Sequence, residues 1–183
     1  MFGYMIKEIK KILREYISEL STYNKPIYDK GTEHNIYANH NNPNVLYKVG
    51  NKDRVEYIGK LFNKYPDLFP RVYKIGKINQ SQSYFEVEKL DTNRTKEDWK
   101  YLTNKLDTED LFALFYYIAE SDTGPEIYKN AIKRLGDDDE ALNIFKRWVK
   151  LLKSIASVYN TTIDVHVGNF GYDKDGKLKC LDP

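Results

Sequence analysis

Cysteine is nearly absent. The 183 residues hold one, Cys180, so no disulfide can form within the chain. Histidine is scarce as well; three scattered residues beside a single cysteine argue against a structural zinc site. Neither sign of charge dominates. Lys and Arg number 29 against 27 Asp and Glu, a net of +2, too little for a general nucleic-acid binder, and the lysines are interspersed with acids as on a solvated face. No apolar run approaches the roughly 18 residues that suggest a membrane span. The opening "MFGYMIKEIKK" lacks the uninterrupted apolar core of a secretory signal. A cytoplasmic setting is therefore expected. The lean toward Tyr, Asn, Lys and Ile fits an AT-rich genome, such as a low-GC bacterium or a phage, whose proteins work in the host cytoplasm.

What is present suits a folded protein. Apolar residues make up 41%, enough for a core, and the length fits one domain or two small lobes. Within residues 1–25, Met5, Ile6, Ile9, Ile12, Leu13, Tyr16, Ile17 and Leu20 recur at helical spacing, predicting an amphipathic helix over 5–20 that docks on the protein's own body. Its basic face is also compatible with a membrane surface.

Residues 26–91 change character. "PIYDKGTEHNIYANHNNPNVLYKVG" reads as two or three short strands, with "NHNNPN" as a turn and Lys48 held in the strand around Val45 to Val49. "NKDRVEYIGKLFNKYP" predicts a short helix with Val55, Ile58, Leu61 and Phe62 on its apolar face and Pro66 beyond its end. "RVYKIGKI" and "SYFEVEKL" predict a hairpin. Residues 92–183 are mainly helical. "TKEDWKYLTNKL" contains a capping-box pattern from Thr95 to Asp98, and "DTEDLFALFYYIAES" follows with capping-type residues at its start. "EIYKNAIKRLG" ends at Gly136. "DDDEALNIFKRWVKLLKSIASVYN" places Leu142, Phe145, Trp148, Val149, Leu152, Ile155 and Val158 on one side. The last stretch predicts a small hairpin, with Gly176 in the turn "YDKDGKL" at positive φ. The fold class expected is α+β, a small antiparallel sheet followed by helices.

Several residues can carry chemistry. Lys48 in mid-strand either faces solvent or anchors phosphate, since a compact ammonium on a rigid strand can sit between α- and β-phosphate oxygens. Glu56, one turn into the next helix, can fix its direction, and Asp53 competes for that role. In "DKGTEHN", Gly31 and Thr32 belong either to an ordinary hairpin turn or to a phosphate-covering turn with backbone amides turned to a triphosphate. Near "VEKL", an extended segment whose Glu88 and Leu90 offer carbonyl and amide groups can hold an adenine. "DVHVGN" says most. Phosphoryl transfer needs a carboxylate near the acceptor hydroxyl, which Asp164 supplies. It also needs oxygen ligands for Mg²⁺, which Asn169 and Asp182 supply. His166 can brace the loop, act as a base or join Asp164 at a metal, but one histidine without clustered partners does not suit a metallohydrolase.

With those residues in place, the chain resembles the protein-kinase-like superfamily, most of all its aminoglycoside- and choline-phosphotransferase-like branch. The catalytic loop there reads aspartate, apolar residue, histidine, two residues, asparagine, which Asp164 to Asn169 match. A second aspartate follows on the next strand, as Asp182 does. Lys48 resembles the strand lysine, Glu56 its helix partner and "FEVEKL" the tether between lobes, in the expected order over 26–183. The resemblance implies a bilobal fold with a reduced helical C-lobe and ATP bound between the lobes. It implies that Lys48 holds the α/β-phosphates, that Asp164 positions or deprotonates the acceptor hydroxyl, and that Asn169 and Asp182 ligate Mg²⁺. The sequence departs from the pattern where Thr162-Ile163 precedes Asp164 in place of histidine and arginine, where Pro183 follows Asp182, and in a turn with a single glycine. No activation segment or later substrate-seating helices follow Asp182, as expected of a minimal member or of a chain that stops early.

Three readings follow. The first is an ATP- and Mg²⁺-dependent phosphotransferase acting on a hydroxyl of a protein or small molecule. The second is a kinase-like module, catalytically weak or inactive, that binds nucleotide or a protein partner. The third, a helical protein associated with nucleic acid, is disfavoured by the near-neutral charge.

Overall fold

A computed structural model describes residues 34–39, 41–108, 110–159 and 165–182. The helix expected over 5–20, the turn holding Gly31 and Thr32, and Asp164 lie outside them. The chain divides into two compact units. The first takes residues up to Pro66 and Arg71–Lys89, the second Asp67–Pro70 and Leu90 onward. Described residues form five α-helices and two small antiparallel sheets.

In the first unit, β1 (His34–Ala38), β2 (Val45–Asn51), β3 (Val72–Lys77) and β4 (Gln82–Glu88) form an antiparallel sheet of order β1-β2-β4-β3. The register aligns Ile36, Lys48, Phe85 and Ile75 across it. Residues directly opposite share a face, and this face meets helix α1 (Lys52–Lys64), whose Phe62 packs edge-on to Phe85 at 5.9 Å. Val55, Ile58, Leu61 and Phe62 are buried there, as their spacing predicts. A side chain of that size contributes about 1.5–3 kcal/mol when fully buried. The helix starts where Asn51 accepts the Asp53 amide at 3.0 Å. The opposite face carries Tyr47 and Tyr84, in edge contact at 6.0 Å.

The second unit holds α2 (Thr92–Leu106), α3 (Leu111–Glu120), α4 (Gly124–Leu135) and α5 (Asp139–Val158), then a 3₁₀ turn (Val167–Asn169) and a hairpin of β5 (Phe170–Tyr172) and β6 (Leu178–Cys180). Aspartate caps three of these helices: Asp91, Asp110 and Asp138 each accept first-turn amides. The capping box expected at Thr95–Asp98 is corrected by this arrangement. The helix begins at Thr92, three residues earlier, with Asp91 as its cap, and both side chains also bond partners distant in sequence. Helix α4 starts instead with Pro125 in its first turn and ends at Gly136 with φ +60°.

The core of this unit is aromatic. Trp148 of α5 lies 5.3 Å from Trp99 of α2, 5.7 Å from Phe115 of α3 and 4.9 Å from Phe170 of β5. Phe170 is completely buried, so the residue after Asn169 is fixed to the centre of the unit. On α5, Phe145, Trp148, Val149, Leu152 and Ile155 are buried as expected, together with Ala141, Ile144 and Leu151, which the one-sided reading left out. No helix among the described residues is long and apolar enough to cross a membrane.

Candidate functional site

In the first unit, Lys48 is 2% exposed, although a lysine in mid-strand usually turns to solvent. Register explains it. Lys48 lies opposite Phe85 on the face that α1 covers, and its Nζ sits 5.9 Å from the centre of the Phe62 ring. Because β2 runs between β1 and β4, the backbone carrying the ammonium is held on both sides. Glu56 is half-buried on α1. Among the described residues no ion pair joins Lys48 to Glu56 or to Asp53.

At the end of β4, the Glu88 amide donates to the Arg71 carbonyl at 2.9 Å, and its Oε2 accepts the Arg71 amide at 3.2 Å. In the second unit Leu90 is buried, and among the described residues neither its amide nor its carbonyl has a hydrogen-bond partner.

Also in the second unit, His166 braces the 3₁₀ turn twice. Its Nδ1 accepts the Gly168 amide at 3.2 Å, and its carbonyl accepts the Asn169 amide at 2.7 Å. With Nδ1 as acceptor, the neutral ring carries its proton on Nε2. Asn169 ends this turn. The β5–β6 ladder pairs Phe170 with Cys180, and the Leu181 amide donates to the Asn169 carbonyl at 2.6 Å. Asn169 and Asp182, thirteen positions apart in sequence, therefore lie on adjoining stretches of backbone, and both are half-buried.

Many bonds fix this hairpin within its unit. Tyr172 and Asp91 exchange backbone hydrogen bonds at 2.8 and 3.1 Å, Thr95 Oγ1 donates to the Phe170 carbonyl at 3.1 Å, and the Cys180 amide donates to the Leu68 carbonyl at 2.8 Å. The Tyr172 hydroxyl donates to Asp98 Oδ2 and accepts from Arg147 Nη1 at 2.8 Å. Burial, then the Asp98 carboxylate, pushes Tyr172 up to about 12, so its hydroxyl stays protonated through the neutral range. At the tip, Gly176 adopts φ +75°, the conformation its turn requires. Arg147 and Tyr172 gave no local sequence signal, and Thr95 and Asp98 gave only a capping-box pattern, because their partners here lie 25 to 75 positions away.

The adjoining backbone carries an amide-bearing and a carboxylate-bearing residue, oxygen-donor types that suit a hard cation. Mg²⁺ commonly takes one or two protein oxygens and completes its shell with phosphate oxygens and water. Among the described residues no group of three or more His, Cys, Asp and Glu could hold a metal. The Asn169–Asp182 pair offers two oxygen-bearing side chains, within the number Mg²⁺ commonly takes from protein.

No protein-family model matches the chain, and no curated protein matches it. Among solved structures it is similar to a Haemophilus somnus 129PT protein named as a fructosamine-3-kinase, with a TM-score of 0.36 and 16% identity. The alignment covers 87% of this chain and 64% of that one. At that score the likeness carries no argument about activity.

Proposed function

We propose that this protein is an ATP- and Mg²⁺-dependent phosphotransferase that moves a γ-phosphoryl group to a hydroxyl of a protein or small molecule. The observation that carries the reading is the adjacency of Asn169 and Asp182, created by the hairpin and its Leu181–Asn169 bond. The buried ammonium of Lys48 on a central strand supports it.

In this reading Lys48 holds the α- and β-phosphate oxygens, its stem constrained by the strand and by Phe62. The Glu88 carbonyl and the Leu90 amide take the adenine edge, and Gly31 and Thr32 cover the phosphates. Asn169 and Asp182 would hold Mg²⁺, which supplies charge neutralisation on the phosphates when bound. Asp164 accepts the proton of the acceptor hydroxyl and orients it, while His166 keeps the loop in shape. The test is transfer of labelled γ-phosphate to a panel of protein and small-molecule hydroxyls. Mg²⁺-dependent transfer lost in Asp164→Ala is expected; transfer that survives that substitution excludes the mechanism.

A further inference from the structure

A charge pair taken out of water links the turn after β5 to the middle of β6. Lys179 Nζ lies 2.9 Å from Asp173 Oδ2, with the two side chains 8% and 4% exposed. Asp173 Oδ1 also accepts the Asp175 and Lys177 amides at 2.9 and 2.8 Å. Burial alone would raise this carboxyl, but the Lys177 amide and the Lys179 ammonium outweigh it and hold it below the usual carboxylate value. Lys177, by contrast, reaches outward to Asp67 at 3.1 Å, where both partners are exposed.

A surface turn does not need a buried ion pair, and such a pair adds little net stability once desolvation is counted. Its best-attested use is to fix register. Here the ladder has three residue pairs, Phe170–Cys180, Gly171–Lys179 and Tyr172–Leu178, and a ribbon that short holds its register weakly. Lys179 stands opposite Gly171, which presents no side chain, and reaches diagonally to Asp173. A slip of one residue would send Lys179 to the other face and would shift Asp182 along the backbone of Asn169. The strands are otherwise anchored to different places, β5 to Asp91 and Thr95, β6 to Leu68.

We propose that Asp173 and Lys179 are positioning residues for the divalent-cation site, their buried pair holding β6 in the register that sets Asp182 beside Asn169. This deepens, and rests on, the metal role assigned above to those two residues. Neither positioning residue touches the cation; each acts through the hairpin.

The test uses the full chain, with Mn²⁺ as probe beside a non-hydrolysable ATP analogue. Free Mn²⁺ is followed by electron paramagnetic resonance, and exchange of the Leu181 amide by nuclear magnetic resonance. Lys179→Met is expected to weaken Mn²⁺ binding about 10–100-fold, the range for residues that orient metal ligands, and to speed Leu181 exchange. Lys179→Arg, which can keep the pair, is expected to restore most of both. Should Lys179→Met fail to fold, Asp173→Asn, which retains an oxygen for the turn amides, carries the same expectation. Mn²⁺ affinity lost in Asp182→Asn but unchanged in the pair variants overturns the positioning role alone. Affinity unchanged in Asp182→Asn as well removes the metal site, and the proposal with it.

Discussion

The Leu181 amide donates to the carbonyl of Asn169 at 2.6 Å, one hydrogen bond beyond the last pair of the β5–β6 ladder. It carries Asp182 past the end of a strand whose partner begins immediately after Asn169. The backbone at Asp182 thus adjoins that at Asn169, and the aromatic core holds that geometry through Phe170.

If Asp164 handles the acceptor proton, its loss affects chemistry more than binding. Asp164→Ala is expected to lower γ-phosphoryl transfer by about 10²–10⁴, the range for removing a positioned general base. Affinity for the Mg²⁺ complex of a non-hydrolysable ATP analogue should change little. Radiolabel transfer and calorimetry on the same preparation give the two numbers.

Tyr172→Phe deletes a hydroxyl that serves both Asp98 and Arg147. Asp98 is 9% exposed and would lose that partner. Removing one partner of a buried hydrogen bond costs about 1–3 kcal/mol. Urea unfolding should show a lower midpoint with an unchanged slope.

Gly171 lies against the point where the chain enters α2. A Cβ built there would stand 2.5 Å from the Leu90 Cβ and 3.4 Å from the Asp91 carbonyl oxygen. Neither neighbour is the end of a flexible side chain, so Gly171→Ala should destabilise by about 1–3 kcal/mol, the usual cost of overpacking. Thermal denaturation against Gly136→Ala, where no atom lies within 4 Å but φ is +60°, separates crowding from backbone strain.

Asp138 caps α5 through the Ala141 amide, which with Lys105 holds its carboxyl down at about 2. Tyr101 also donates to it. The folded carboxyl titrates below its unfolded value of about 3.9. The stabilisation is therefore complete above about pH 4 and is lost as pH falls toward 2. Asp138→Asn, which keeps a capping oxygen but no charge, should flatten the stability profile in that window and lower the thermal midpoint near neutrality, where the wild-type carboxylate is ionised, as read from thermal midpoints across pH.

Local chemistry was legible where the deciding forces were local. The apolar stripe of α1, the close of α4 at Gly136 and the turn at Gly176 were read from spacing and glycine alone. Thr95 and Asp98 show where that reading stops. Their three-residue spacing imitates a capping box, yet tertiary partners claim both side chains, and Asp91 takes the cap. Lys48 shows the same limit. Alternation alone left open which face it took, and only its register opposite Phe85 turns it inward. The Asp173–Lys179 pair lay within a turn that was recognised, but a string of lysines and aspartates does not reveal which of them leave water.

The most direct test of the account is calorimetric titration of the full chain with a non-hydrolysable ATP analogue, with and without Mg²⁺, in wild type, Lys48→Met and Asp182→Asn. The account predicts Mg²⁺-dependent binding that each substitution weakens at least about tenfold, a loss of about 1.4 kcal/mol or more, with circular dichroism unchanged. Wild-type protein that does not bind the nucleotide, or variants that bind it as wild type does, would contradict it.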